Sequence, residues 1–96
     1  MFAVILKYKQ PIETVEAHTP AHRAYLDSYY EKGVFVLSGR QTPPTGGVIL
    51  ANVENRKALE AILAEDPFCT EGVADYEIYE FTVSKYLPAL AGFAGM

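Results

Sequence analysis

Two side chains in this chain of 96 residues have the types that suit acid–base chemistry together, His22 and Asp66. A carboxylate on one nitrogen of an imidazole fixes its tautomer and leaves the other nitrogen free to take or give a proton near neutral pH. Their separation along the chain does not put them in contact, and each has a plainer role. His22 then serves only as a polar residue on a helix and Asp66 only as the opening of the Asp66-Pro67 stop. Ser38 and Gly39, at the end of an apolar run, can offer a hydroxyl and close backbone approach to a ligand, or mark a simple exit from a strand.

The remaining candidates carry less. His18 lies four residues before His22, a spacing at which two imidazoles can share a metal on one helix, but Pro20 stands between them and no third ligand is evident. No metal and no cofactor is therefore expected. Cys69 is the single cysteine, which excludes an intrachain disulfide; without a base beside it, it reads as a small, partly buried packing residue. Tyr25, Tyr29 and Tyr30 can line an aromatic pocket, although tyrosines at helical spacing more often pack a core or an interface. Gly46-Gly47 lacks the strand, helix and Lys of a phosphate loop.

These residues need elements to place them. Phe2 to Tyr8 is apolar on both alternating sets, as in a central strand covered on both faces. Ile12 to Ala17 suits a short helical turn, after which Thr19 caps a main helix from Pro20 to Lys32, with Gly33 as its left-handed end. His22 then falls in the first turn, where the helix N-terminus favours a neutral imidazole, and Leu26 and Tyr29 continue its stripe toward the sheet. Val34 to Ser38 and Val48 to Val53 read as strands joined by a Pro- and Gly-rich connection. Asn55 caps a second helix carrying Leu59, Ile62 and Leu63 on one side, Phe68 to Gly72 makes an irregular turn, and Tyr76 to Val83 alternates as a last strand. The order β-α-β-β-α-β is that of a ferredoxin-like α+β sandwich, an antiparallel sheet with both helices on one face. The other face keeps apolar side chains, and a second subunit's sheet is the economical cover, giving a dimeric α+β barrel. The mostly apolar tail, Leu87 to Met96, is expected on the partner subunit or the cleft rim.

Composition narrows the function. Residues 1–96 suit one domain, which at this size buries only about two thirds of its unfolded surface. Half the residues are hydrophobic and 21% charged, and that surplus of apolar surface points to a homodimer or higher oligomer. The net charge of −4 and the scattered Lys and Arg residues argue against nucleic-acid and membrane partners. The Phe2–Leu6 run has no basic leader and is too short for a signal peptide, so a cytoplasmic location is expected.

Thr19-Pro20-Ala21-His22-Arg23-Ala24-Tyr25-Leu26, Gly33 to Gly39 (GVFVLSG), Pro44-Thr45-Gly46-Gly47 and Asp66-Pro67-Phe68 together resemble the YciI-like, or YCII-related, family across nearly the whole chain. The resemblance implies a small dimeric α+β barrel with a histidine and an aspartate as an active-site pair, at positions His22 and Asp66. It also implies proton transfer on a small cyclic compound, since that superfamily includes a dehydrochlorinase and the muconolactone isomerases. Arg40 stands where a proline commonly follows Ser-Gly, and it adds a charge suited to anions. The expectation is thus a cofactor-independent lyase or isomerase, with His22 and Asp66 catalytic and Ser38, Gly39 and Arg40 contacting a small-molecule substrate. The alternative is a non-catalytic small-molecule-binding or accessory dimer in which the pair is only a structural hydrogen bond.

Overall fold

A computed structural model describes residues 1–96. Four strands, β1 (Phe2–Tyr8), β2 (Phe35–Arg40), β3 (Gly46–Ala51) and β4 (Ala74–Glu80), form one antiparallel sheet in the order β2-β3-β1-β4. Helices α1 (Ile12–Glu31), α2 (Arg56–Leu63) and the single turn α3 (Pro67–Thr70) supply core residues to one side of it. This is the ferredoxin-like α+β plan expected from the element order. β1 is central, as its double apolar pattern suggests, but only one of its faces is covered within the chain.

The core follows from alternation. Phe2, Val4 and Leu6 of β1 and Ile49 and Ala51 of β3 point to the helices and are at most 2% exposed. Val15 and Tyr29 of α1, Leu59 and Leu63 of α2 and Phe68 of α3 close over them. Asn55 caps α2 as its sequence position implies, its side chain accepting from the Ala58 N–H at 2.8 Å. Gly33 takes φ +72° just past α1, the left-handed residue that ends it.

The main helix differs from expectation. It runs unbroken for 20 residues from Ile12, with Pro20 inside it, so Thr19 is not a cap and His22 is not in a first turn. The Thr19 hydroxyl instead bonds the Val15 carbonyl at 2.8 Å, and the Glu16 carbonyl loses the N–H that Pro20 does not have. Burial explains the continuity. Val15, His22 and Tyr29 stand at seven-residue steps on one buried stripe, and packing that stripe offsets the roughly 3 kcal/mol that an interior proline costs.

Three strands are shifted from their expected bounds, and each shift has a local cause. β2 extends to Arg40 and β3 begins at Gly46, because the backbone pairing Arg40↔Gly47 shortens the connection to Gln41–Thr45. Gly46 is required there, since a Cβ would fall 1.8 Å from the Leu6 carbonyl oxygen. β4 starts at Ala74, paired with Tyr8. The tail forms a short 3₁₀ helix, Pro88–Phe93, and returns to its own chain through backbone bonds between Val83 and both Gly95 and Met96. It lines no part of the cleft described below, which corrects the expectation of a rim contact. No helix is long and apolar enough to cross a membrane.

Candidate active site

The site forms where the middle of α1 meets the start of α3. Asp66 caps α3: its Oδ1 accepts from the Phe68 N–H at 2.9 Å, and the same oxygen accepts from His22 Nδ1 at 2.7 Å. Its Oδ2 accepts from the Tyr76 hydroxyl of β4. Asp66 has no solvent exposure at all, so its carboxylate is tolerable only because three donors converge on it. The sequence places Asp66-Pro67 as a helix stop; the structure shows a capping residue whose remaining acceptor capacity is turned on the histidine.

The partners in turn fix His22. With Nδ1 donating to the carboxylate, the imidazole is the tautomer that leaves Nε2 as acceptor. One ring face stacks on Phe68 at a centroid distance of 3.9 Å and an interplanar angle of 3°. His22 is only 9% exposed, yet every fully buried side-chain polar atom has a partner, so Nε2 is the atom that retains access. His22 lines a cleft of about 520 Å³.

One phenol reinforces the carboxylate, and two others bond elsewhere. Burial, then the hydrogen bond to Asp66, pushes the Tyr76 hydroxyl well above its ordinary range, so it stays a donor to the carboxylate. Burial, followed by the nearby Asp66 charge, raises Tyr25 similarly, and its hydroxyl donates to the Ile62 carbonyl at 2.8 Å, tying α1 to α2. Tyr29 donates to Glu65 at 2.6 Å, and that bond and burial push it up to about 12. The tyrosine stripe thus packs in and against the core, with its hydroxyls spent on Ile62 of α2, on Glu65 and on Ser38 of β2.

One cross-strand row forms the cleft floor. Arg40, Gly47, Leu6 and Tyr76 are successive partners across the four strands and share the helix-side face. Gly47 has no side chain, so the row is open between Arg40 and Leu6. Arg40 reaches this face because of a β-bulge between Phe35 and Leu37. Without that extra residue, strict alternation from Phe35 would send Ser38 and Arg40 to the opposite face.

Of the expected ligand contacts, Gly39 and Arg40 line the cleft with His22, while Ser38 lies outside its lining and bonds the Tyr30 hydroxyl at 2.6 Å. Arg40 Nε donates to the Tyr8 hydroxyl at 3.3 Å, and the guanidinium carbon sits 5.8 Å from that ring's centroid. The Tyr8 hydroxyl, with a lesser contribution from Glu16, raises the guanidinium above its ordinary value. Cys69 is exposed rather than packed. No group of three or more His, Cys, Asp or Glu side chains is arranged to hold a metal.

Sequence reasoning missed Tyr76, which bonds Asp66 from behind the cleft, and the lining residues Tyr8, Glu16, Arg23 and Phe68. Glu16, Thr19, Pro20 and Arg23 follow i, i+3, i+4, i+7 spacing, a single helical face that becomes visible once α1 is taken through the proline. Tyr76 has no such signal, because its position beside Leu6 is a matter of strand pairing.

The fold and this geometry define a small ferredoxin-like α+β domain with a buried His–Asp pair beside a cleft. The YCII-related domain family matches residues 1–82, and the chain belongs to that family. No curated protein sequence matches it. Nine chains of solved structures do, among them 5-chloro-2-hydroxyhydroquinone dehydrochlorinase from Burkholderia phenoliruptrix in complex with 2,5-dihydroxybenzoquinone. That structure superposes with a TM-score of 0.71 at 18% identity, covering 85% of this chain and 94% of its own. At that identity the likeness establishes the fold.

Proposed function

We propose that the protein is a cofactor-independent lyase or isomerase that moves a proton on a small, planar metabolite. The carrying observation is the 2.7 Å contact between His22 Nδ1 and a fully buried Asp66, with Nε2 left open to the cleft. In this reading Nε2 takes a proton from the substrate, and the carboxylate beside Nδ1 stabilises the positive charge that develops on the ring. The same proton is then returned at a second position in an isomerisation. In an elimination the substrate's electron pair expels a leaving group as the C–H bond breaks. Acid–base catalysis of this kind contributes about a hundred- to ten-thousand-fold in rate. Tyr76 and the Phe68 N–H act as positioning groups, because they hold Asp66 rather than the substrate.

The dehydrochlorinase's own substrate supplies the first test. Incubation with 5-chloro-2-hydroxyhydroquinone in D₂O, following chloride release and deuterium uptake, is expected to show turnover that His22→Asn lowers at least about a hundredfold with the fold intact. A fully active His22→Asn variant overturns the catalytic reading and leaves a binding protein.

The same proposal includes a second copy of the chain. Ala3, Ile5, Val48, Leu50, Leu37 and Tyr79 share the sheet face turned away from the helices, and Leu37 and Tyr79 are about half exposed, at 51% and 53%. Pairing that face with its equivalent closes an α+β barrel and removes the apolar surface from water.

A further inference from the structure

Beyond the proton transfer, the cleft carries information about what it holds. Arg23 of α1 and Arg40 of β2 both line it, one from the helix and one from the sheet row that Gly47 leaves open. Neither lies within 4 Å of a carboxylate, whereas the other sheet-side cations Lys7 and Lys9 are paired with Glu77 and Asp75. Arg40 is held at one end only. Its Nε is occupied by the Tyr8 hydroxyl and its flank rests near the Tyr8 ring, so its four terminal N–H groups, without a partner in the protein, are free for a ligand in the cleft.

The rest of the lining limits the ligand. Phe68, stacked on His22 and edge-on to Tyr8 at 5.9 Å, makes the inner wall flat and aromatic. Glu16 is the one carboxylate in the lining, so the wall carries two guanidiniums against one negative charge, a balance that suits a single negative charge and penalises two.

We propose that the cleft selects a planar organic monoanion, a delocalised carboxylate, enolate or phenolate, whose charged oxygens lie on Arg40 while its ring or chain reaches His22. The inference rests on the reading of this cleft as the substrate site of His22, and it assigns specificity to Arg40. A guanidinium meets such an oxyanion through two parallel N–H···O bonds, so it orients the ligand as well as attracting it. Arg23 adds charge from the facing helix, and Glu16 repels a second negative group.

The test is titration of the ¹³C/¹⁵N-labelled protein with benzoate and with tropolonate at pH 8, reading the His22 ring signals, against the neutral counterparts benzamide and tropone. Both anions are expected to shift the ring signals saturably, with affinities that fall as salt is added, while the neutral compounds do not. Binding of only one of them narrows the class to a carboxylate or to an enolate. Arg40→Gln is expected to weaken binding about tenfold, Arg40→Lys to recover part of that loss, and Glu16→Gln to tighten it. Arg40 is exposed, so unchanged circular dichroism is expected in these variants. Anion affinities that ignore Arg40→Gln, or equal binding of the neutral compounds, overturn the proposal, as does the absence of any saturable shift. His22→Asn separates the two readings: if it retains turnover, the acid–base role fails, while the dependence of anion affinity on Arg40 is judged independently from the backbone signals around the cleft.

Discussion

The two faces of the sheet are built from the same strands and yet solve different problems. On the helix side, Val4 is fully buried and the polar atoms beneath the helices converge on one carboxylate, Asp66. On the other side Ile5, one residue along, is only half-buried, and Lys7 and the Tyr79 hydroxyl both bond the Glu77 carboxylate at the surface. Exposed ion pairs in water contribute little and tolerate loss, whereas a buried polar network must be complete. The helix face therefore holds residues that cannot be changed one at a time, and the open face holds partly exposed apolar surface, which the proposed second copy would cover.

The largest effect is expected from breaking the buried network. Asp66→Ala leaves His22 Nδ1, the Tyr76 hydroxyl and the Phe68 N–H without an acceptor, and urea denaturation should show a loss of about 3–5 kcal/mol. A loss below about 1 kcal/mol would show that the network is not buried as described. Leu50→Arg puts a charge into the middle of the open face; sedimentation of dilute samples by ultracentrifugation should show the dissociation constant of the proposed dimer raised at least about a hundredfold while the far-ultraviolet spectrum is kept. A wild-type chain that stays monomeric at high concentration removes the open face as an interface.

Smaller changes sharpen the contrast. Tyr76→Phe deletes one of three donors to Asp66 and is expected to cost about 1–2 kcal/mol and to lower kcat more than it raises KM, since it orients His22 indirectly. Equal loss in a His22→Asn background would make its role purely structural. Alkaline titration compares the phenols directly. Tyr29 has an ordinary value of 10.0 and is pushed up to about 12 by its bond to Glu65, so its contribution to stability is present below about pH 10 and fades as pH rises through about 12. The unfolded chain releases that proton first, which fixes the sign. Absorbance at 295 nm should therefore show the Tyr29, Tyr25 and Tyr76 protons leaving only as the chain unfolds, and Tyr29→Phe should flatten that part of the stability curve.

Much of this architecture is legible in the residues. The alternation of β1, the cap at Asn55 and the glycine at 33 mark elements that local physics alone requires, and their order implies the sandwich. The resemblance on Thr19 to Leu26 and Asp66-Pro67-Phe68 also singles out the His22 and Asp66 pair. Local signals misled at Pro20, where a good helix start lies inside a longer helix, because the stripe through Val15, His22 and Tyr29 is stabilised by the sheet it packs on. The same holds for Cys69, whose small apolar character suggests packing, but which α3 leaves exposed.

By itself, then, the order of residues determined most of the element types and the antiparallel sandwich, since these depend on short-range propensity and on the period of the apolar pattern; the contact between His22 and Asp66, 44 residues apart, did not follow from either. Tertiary structure alone decided that Asp66 is a capping residue with three donors, that Tyr76 stands behind it, and that a one-residue bulge puts Arg40 on the helix-side face, where it lines the same cleft as His22. Those are matters of register between strands distant in sequence. A shift of one residue reverses every side chain on a strand, and nothing local to Arg40 records which way it falls.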